Sequence, residues 1–273
     1  MTSVGNKSAP QHDGAGGQRY VVVSHDGPVS RIELNRPEQR NPLSMAMMRE
    51  FTAALRELDA RGECAVIVVS GRGPVLSAGH QLDEMIDRTL DDEREVFATC
   101  VTLMETVQAV RQPVIAEVQG HAVAAGCQLV ATCDLAVAAD HVRFGTPGVR
   151  IGLFCSTPMV AVSRAIGRKR AMQMLLTGQT IDAATACDWG LINEAVPAAE
   201  LTAQVDTMAR QIAEASGLTL KIGKQAFYKQ IDLPQGEAYE EMAETMSTNA
   251  VTCDAQEGMS AFLEKRDPTW TGT

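Results

Sequence analysis

Three short runs composed almost entirely of apolar residues constrain the fold of this chain most, with Glu117 as the one charged residue among them. They are Ala65–Val69, Val114–Val118 and Leu135–Ala138. An apolar run of about five residues without polar alternation is typical of a β-strand that is covered on both faces. The stretch Glu95–Val110, between two of the runs, has apolar residues at helical spacing. Since strand, loop and helix alternate, the sequence predicts an α/β fold with parallel strands.

The two ends of the chain differ from this central part. Tyr20–Val23 and Val29–Leu34 flank a turn containing Gly and Pro, which predicts a hairpin. Ser44 is placed to cap a following amphipathic helix. The first residues are polar and rich in Gly and Ser, and the last part of the chain has amphipathic helices without a strand pattern. The predicted organisation is a flexible tail (1–18), an α/β core (19–200) and a C-terminal helical region (201–273).

The composition excludes several classes of function. With 24 Lys and Arg against 34 Asp and Glu, the formal net charge is −10, which excludes a broad nucleic-acid-binding surface. No apolar run approaches the ~20 residues of a membrane span, and the N-terminus has no signal-peptide pattern. The 7 cysteines have no zinc-binding spacing, so no metal is expected. We therefore expect a cytoplasmic protein that binds neither nucleic acid nor membranes.

Two loops rich in small residues each follow a predicted buried strand. The first is Ser77–Leu82, and the second is Gly120–Gln128, which also opens a helix. Small residues let a ligand approach the backbone, and a helix N-terminus offers unpaired N–H groups. Two such donors that converge on one carbonyl oxygen would form an oxyanion hole. The alternative is that both loops are tight turns that need small side chains only.

Motifs along most of the chain, from Tyr20 to Trp270, occur in the order found in a known family. They are Leu34–Ser44, Ser77–Leu82, Gly120–Ala138, Phe144–Pro147, Gly152–Leu153, Leu176–Gly178, Gly190–Ile192 and Ala261–Arg266. In this order they resemble the enoyl-CoA hydratase/isomerase family, also called the crotonase family. The resemblance implies a spiral of ββα units with a C-terminal helical region that forms trimers. A homotrimer, or a homohexamer of paired trimers, is therefore expected.

One subgroup of that family shares further features with the chain. They are His80 after the glycine of the first loop, and the segments Ala124–Val130, Gly152–Pro158 and Phe227–Gln230. These features predict that the chain is most similar to this subgroup, whose members share the crotonase fold.

The same resemblance implies a function and a set of site residues. The substrate would be an acyl-CoA thioester, and the reaction that of a lyase or isomerase of the hydratase type. No separate cofactor is expected, because coenzyme A enters as part of the substrate. The backbone N–H groups of His80 and Ala125 would stabilise a thioester enolate, and Ala78 would contact the substrate beside them. Arg40 could contact a phosphate or the ribose of coenzyme A, and Lys265 could do the same within one subunit or across two; the alternative is that both side chains are only solvated.

The chain departs from the family at the two positions where hydratases carry catalytic glutamates. Gln128 and Gly148 occupy them here. An amide cannot transfer a proton near neutral pH, and glycine has no side chain. Each general acid or base contributes about 10²–10⁴ to a rate. We therefore expect little hydration by the usual route, with Gln128 still able to orient a water molecule or the thioester.

Other side chains near the two loops could replace the glutamates. His80 is the best placed, because its backbone would lie at the reacting carbonyl and histidine titrates near neutral pH; its ring could instead pack away from the site. Cys155 could act as a nucleophile, although no histidine is paired with it in the sequence. Asp83 and Glu84 could line the acyl pocket or form a solvated helix face. Glu117 lies in a predicted buried strand, where a carboxylate needs a partner.

Two hypotheses of different kinds remain open at this stage. The first is an enzyme that acts on acyl-CoA by hydration, isomerisation, C–C cleavage or thioester hydrolysis. The second is a non-catalytic acyl-CoA-binding protein or partner subunit. The two loops support ligand binding under either hypothesis, and the missing glutamates favour the second. The sequence sets no length for the acyl chain.

Overall fold

The computed structural model describes residues 19–273, so the tail predicted for residues 1–18 lies outside the described part. The strands are β1 (Val21–Asp26), β2 (Val29–Leu34), β3 (Val66–Gly71), β4 (Val75–Ser77), β5 (Val114–Val118), β6 (His121–Val123), β7 (Leu135–Ala139), β8 (Arg143–Gly145), β9 (Thr180–Asp182) and β10 (Glu194–Val196). The helices are α1 (Met45–Ala60), α2 (Leu90–Ala109), α3 (Ala125–Thr132), α4 (Pro158–Ile166), α5 (Arg168–Thr177), α6 (Ala183–Trp189), α7 (Leu201–Ala213), α8 (Gly217–Gln230), α9 (Gln235–Ala250) and α10 (Cys253–Glu264).

The strands form two sheets. The larger has the order β1-β2-β3-β5-β7-β10, in which only the β1–β2 pair is antiparallel. The smaller has the order β4-β6-β8-β9, with β9 antiparallel to β8. From β3 to β8 the strands belong alternately to the larger and the smaller sheet, so that each turn of the chain in this part adds one strand to each sheet. The α/β class and the crotonase-like spiral are confirmed.

The boundaries of the elements follow from local sequence signals. The Ser44 side chain accepts a hydrogen bond from the Met47 N–H (3.1 Å), so the predicted cap of α1 is confirmed. Helix α2 begins at Leu90, several residues before the predicted start. The reason is a capping box in which Thr89 and Asp92 exchange side-chain-to-backbone hydrogen bonds. The three apolar runs lie at β3, β5 and β7 and are almost entirely buried.

A buried cluster in α8 attaches the C-terminal helices to the core. The Lys224 ammonium forms a salt bridge with Asp134 (2.7 Å) and donates to the carbonyls of Val107 (2.9 Å) and Gln112 (2.8 Å). The Tyr228 hydroxyl donates to the other carboxylate oxygen of Asp134 (2.7 Å). Burial lowers the pKa of Lys224, and the nearby Asp134 carboxylate partly offsets this effect by stabilising the ammonium. The hydrogen bonds therefore satisfy an otherwise costly buried cation.

Replacing Lys224 with methionine is expected to lower the free energy of unfolding by about 3 kcal/mol, because Asp134 would lose its buried counter-ion. Chemical denaturation monitored by circular dichroism measures this change. Lys229→Met in the same helix removes an exposed ion pair with Glu241 and is expected to cost less than about 1 kcal/mol. Equal losses in the two variants would contradict a special role for the buried cluster.

The C-terminal helices expose large apolar side chains. Phe262 and Leu263 on α10 are 83% and 79% exposed, and Tyr239, Met246 and Val251 are also exposed. Apolar side chains exposed side by side are typical of surfaces that another chain covers.

Among the described residues, no helix is both long and apolar enough to cross a bilayer.

Candidate active site

A cavity of about 930 Å³ opens at one side of the core. Its walls come from the loop before α1, the loop after β4, the start of α3 and the segment Pro147–Pro158. Phe97 of α2 closes one side, and apolar atoms form most of the surface. The volume lies toward the upper end of the ~300–1,000 Å³ usual for small-molecule sites. An extended apolar ligand group therefore fits this cavity.

The two loops predicted to carry the site touch each other through their glycines. A Cβ on Gly79 would lie 2.8 Å from the Cβ of Ala124 and 3.2 Å from the nitrogen of Ala125. A Cβ on Gly126 would lie 2.4 Å from the Ser77 carbonyl oxygen. Real Cβ atoms do not approach so closely, so only glycine lets these two backbones meet. The small residues therefore serve a close approach between the loops, and not merely two separate turns.

Two main-chain N–H groups are available at this contact. Ala125 is the first residue of α3, so its N–H has no acceptor within the helix. The bridge between Leu43 and His80 uses the Leu43 N–H and the Gly79 carbonyl (2.8 Å), and does not use the His80 N–H. Ala124 adopts φ 50° and ψ −120°, a conformation that costs alanine energy and is typical of functional loops. Both His80 and Ala125 line the cavity. The oxyanion hole stays a prediction, with both its segments at the cavity wall.

The His80 side chain lies at the cavity wall and is partly buried. Its ring meets the Phe97 ring edge to face, with 5.4 Å between the centroids. The Nε2 atom is fully buried and has no hydrogen-bond partner in the described part of the chain. Burial lowers the pKa of His80 to about 4, because desolvation disfavours the imidazolium. The ring is therefore neutral at pH 7 and carries an unused polar atom.

The lowered pKa of His80 makes stability depend on pH. Above pH 6.5 the ring is neutral in both the folded and the unfolded chain. Between pH 6.5 and about 4 only the unfolded chain binds the proton, so falling pH destabilises the fold by about 1.4 kcal/mol per pH unit. Urea denaturation of wild type and His80→Gln at pH 7 and pH 5 is expected to show a shift of about 2 kcal/mol in favour of the variant. If the difference in unfolding free energy between the two proteins were the same at pH 7 and pH 5, the His80 ring would be charged in the folded protein at pH 5.

The position of one missing glutamate is closed. A Cβ on Gly148 would lie 2.1 Å from the Leu153 carbonyl oxygen and 2.8 Å from the Cys155 sulfur. The Leu153 N–H also donates to the Gly148 carbonyl (3.0 Å), which holds the two segments together. No side chain fits at residue 148 unless this backbone moves. The sequence reveals the glycine, but not that a neighbouring segment fills the space.

Two of the predicted site residues lie away from the others. Gln128 is buried in α3, where its amide oxygen lies 3.9 Å from the Cys100 sulfur of α2, and it does not line the cavity. Lys265 is the exposed residue that ends α10, and it does not line the cavity either. Neither side chain therefore contacts a ligand bound in the cavity of its own chain.

Arg40 and Ala78 do line the cavity, as predicted for substrate contacts. The Ala78 N–H donates to the Arg40 carbonyl (3.0 Å), so the two loops that carry them are joined. The buried Asn41 beside them donates to the Arg72 and Val75 carbonyls (2.9 and 2.8 Å). These bonds fix the loop before α1 at the rim, where the Arg40 side chain is exposed.

The three carboxylates considered as substitutes have separate positions. Asp83 lines the cavity. Glu84 accepts the Met45 N–H (2.8 Å) and so serves the first turn of α1. Glu117 accepts the hydroxyl of Thr202 in α7 (2.6 Å) and forms an ion pair with Arg31 of β2. The buried Glu117 thus has the partners that its burial requires, and it lies outside the cavity lining.

Cys155 and Ser156 take up the last part of the lining. Burial raises the pKa of the Cys155 thiol, so the thiol stays protonated and is a poor nucleophile at neutral pH. Ser156 does not cap the helix that follows it. Its hydroxyl bonds the Phe154 carbonyl (3.4 Å), and α4 starts at Pro158 without a side-chain cap. Proline at the first helical position removes one of the N–H groups that a cap would satisfy.

The comparisons with known proteins agree over nearly the whole chain. The family model described as enoyl-CoA hydratase/isomerase matches residues 25–273. Enoyl-CoA hydratase domain-containing protein 3, mitochondrial, from human is 44% identical over 89% of this chain and 80% of its own length. The Xenopus laevis protein of the same name is 40% identical over 99% of this chain and 98% of its own length. These are members of the subgroup that the sequence indicates.

Solved structures give the same result for the fold. The crystal structure of an enoyl-CoA hydratase from Mycobacterium smegmatis superimposes with a TM-score of 0.91 at 40% identity, covering 93% of this chain and 99% of that one. The crystal structure of human enoyl-CoA hydratase domain-containing protein 3 superimposes with a TM-score of 0.90 at 43% identity, covering 92% of this chain and 100% of that one. Both likenesses extend over the core and the C-terminal helices.

Proposed function

The chain belongs to the enoyl-CoA hydratase/isomerase family, and from this premise we propose that it is an enzyme that binds an acyl-CoA thioester and stabilises the enolate of that thioester. The N–H groups of His80 and Ala125 hold the thioester oxygen. The observation that supports the proposal is the contact between the two loops at Gly79 and Gly126, together with the position of His80 and Ala125 in the lining of one cavity.

The energetic benefit of this arrangement comes from charge that develops on one oxygen. Two fixed N–H donors meet that charge without reorganisation, in a cavity lined mainly by apolar atoms where electrostatic interactions are strong. Removal of one such donor typically costs about 10²–10³ in rate. Because the backbone supplies both donors, the residue beside Gly79 is free to be a histidine.

The His80 ring handles a proton in this proposal. It is the cavity-lining imidazole, it is neutral at pH 7, and its buried Nε2 has no partner among the described residues. Its low pKa makes it a weak base, so we expect slow transfer of the α-proton, with the ring passing that proton between C2 and solvent.

A non-catalytic acyl-CoA-binding protein is the second candidate. The closed position at Gly148 and the turned Gln128 favour it, because they remove the two groups that handle water in the family's hydratases. The cavity and the two N–H donors would then bind a thioester without turning it over. A measurement of turnover distinguishes the enzyme from the non-catalytic binding protein, whereas a measurement of binding does not.

We propose that the C-terminal region forms a homotrimer or homohexamer. The exposed apolar side chains of α10 support this assembly, since Phe262 and Leu263 are among the most exposed large apolar residues described. Contact of Lys265 with coenzyme A is part of the same proposal, because it needs a second copy of the chain.

Crotonyl-CoA hydration, followed by loss of the conjugated thioester absorbance at high enzyme concentration, tests the proposed function together with calorimetric acyl-CoA binding. We expect saturable binding and hydration lower by several orders of magnitude than with two glutamates present. Rapid hydration would show that other side chains replace the pair. Absence of binding would overturn the proposal.

Restoring the glutamate at residue 148 is expected not to restore hydration. In Gly148→Glu the new Cβ meets the Leu153 carbonyl oxygen, so the backbone must move and the melting temperature is expected to fall. Gly223→Glu, at a helical position with nothing within 4 Å of the added Cβ, is the matched control and should change neither quantity greatly. Rapid hydration by Gly148→Glu at an unchanged melting temperature would show that the position is open.

A further inference from the structure

Residues 265–273 follow α10 and fold back along it. We propose that these residues form a strap that holds α10 against the rest of the chain, and that the strap and α10 open and close as one unit while the α/β core stays folded. The strap lies outside the cavity lining, so this device is separate from the proposed acyl-CoA site. A short polar segment thus controls the position of a whole helix.

Helix α10 has little apolar contact with its own chain. Only Asp254 and Ala261 of its 12 residues are buried. Its large apolar side chains point away, since Phe262 and Leu263 are 83% and 79% exposed. Helices of about 12 residues are marginal in water unless an apolar face packs against other elements. Polar contacts therefore supply most of the attachment of α10.

The first anchor of the strap is the carboxylate of Asp254, which is 1% exposed. It accepts the Thr271 N–H (2.7 Å), the Thr271 hydroxyl (3.0 Å) and the Gly272 N–H (3.1 Å). It also accepts the hydroxyl of Ser216 (2.5 Å), the residue that caps α8. A buried carboxylate is costly unless hydrogen bonds satisfy it, and bonds to an ionised acceptor are strong. Opening of the strap therefore removes most of the partners of Asp254.

A second carboxylate, one turn further along α10, binds the strap as well. Glu257 accepts two hydrogen bonds from the Arg266 guanidinium (2.6 and 2.9 Å) and one from the Thr269 N–H (2.9 Å). Both side chains of this ion pair are partly exposed, so its electrostatic contribution is small. The two parallel bonds instead fix the direction in which the chain leaves α10.

Trp270 connects the strap to the end of α7. Its indole N–H donates to the Glu214 carbonyl (2.8 Å), and its ring lies against Gly258 of α10. A Cβ on Gly258 would lie 3.1 Å from the ring, so the glycine leaves room for it. Trp270 thus contacts α10 and the end of α7 at once.

The anchors make the strap and α10 depend on each other. Detachment of α10 breaks the bonds of Asp254 to both the strap and Ser216, and detachment of the strap leaves α10 with little besides the burial of Ala261. Segments with few buried apolar contacts open at a lower free energy than the core, and they open as contiguous units. Helix α8 differs, because Lys224 holds it through buried hydrogen bonds.

Native-state hydrogen exchange of the whole chain, followed by nuclear magnetic resonance, tests the strap. We expect the α10 amides and the Trp270 indole N–H to exchange at a common rate, well before the amides of β5. Trp270→Ala removes an anchor without changing α10, and it is expected to raise the exchange rate of the α10 amides about tenfold. The amides of α8 around Lys224 should keep the wild-type rate.

Gly258→Gln is a second variant, with Gly223→Gln as its matched control. Glutamine is a better helix former than glycine, so the substitution favours α10 itself while the added Cβ presses on the Trp270 ring. We expect faster exchange of the α10 amides in spite of the better propensity. An added Cβ at Gly223 meets nothing within 4 Å, so Gly223→Gln should leave the exchange of α10 unchanged.

Two results would overturn the proposal. In the first, the variants speed exchange in the strap while the α10 amides keep the wild-type rate, so the strap does not hold the helix. In the second, the protection of α10 rises with protein concentration and is equal in wild type and Trp270→Ala, so association of chains holds the helix instead. Butyryl-CoA binding is expected to be equal in all these samples, and its absence from all of them would overturn the proposed function alone.

Discussion

Replacement of His80 with alanine is expected to slow exchange of the C2 protons of butyryl-CoA with D2O by about 10²–10⁴-fold, while the dissociation constant stays close to the wild-type value. The backbone N–H of residue 80 survives the substitution, so the thioester oxygen keeps both donors. What disappears is the imidazole that moves a proton between solvent and C2. Nuclear magnetic resonance follows the exchange, and calorimetry gives the affinity.

His80→Ala also has a matched control in the same protein. His141 is exposed and lies outside the cavity lining, so His141→Ala removes an imidazole without touching the site. Its exchange rate is expected to equal that of wild type. If His80→Ala exchanges as fast as His141→Ala, the His80 ring packs against Phe97 and takes no part in proton transfer.

Gly126→Ala is expected to lower the same exchange rate by at least about 10²–10³-fold, the usual cost of a lost oxyanion donor. Its Cβ would lie 2.4 Å from the Ser77 carbonyl oxygen, so the two loops must separate. The distance between the His80 and Ala125 donors then grows, and one oxygen can no longer accept both hydrogen bonds. Overpacking of this kind also costs about 1–3 kcal/mol of stability, which chemical denaturation measures.

Gly223→Ala is the matched control for Gly126→Ala. Gly223 lies within α8, and an added Cβ there meets nothing within 4 Å. Alanine is the better helix former, so this variant should be slightly more stable and exchange at the wild-type rate. An unchanged exchange rate in Gly126→Ala would show that the close contact of the loops is not needed to hold the enolate.

The sequence predicted the elements that carry strong local signals. The strand Val114–Val118 has the predicted bounds, and the Ser44 side chain caps α1 by accepting the Met47 N–H (3.1 Å). The second sheet could not be foreseen, because strands as short as Val75–Ser77 and His121–Val123 show neither periodicity nor a continuous apolar run. Long-range pairing defines them, and a local pattern does not contain that information.

The site could be predicted in part for the same reason. Small residues at Gly79 and Gly126 indicated either that a ligand approaches the backbone or that the loops are tight turns, whereas in the structure these glycines let the two loops meet each other. The space beside Gly148 is filled by the backbone of Leu153, which any residue type would supply, so no sequence signal marks it. The orientation of Gln128 depends on its position on α3 relative to α2, which packing alone decides.

Helix α3 has the candidate oxyanion donor Ala125 at one end, and Asp134 follows the other end. Asp134 is held by Lys224 and Tyr228 of α8, and the helix between the two ends is only about 12 Å long. Because so short a helix moves as a rigid body, a displacement of one end of α3 also displaces the other end. If the proposed thioester site and the proposed association of the C-terminal helices both hold, this short helix connects them, and any coupling free energy between ligand binding and association would act equally in both directions.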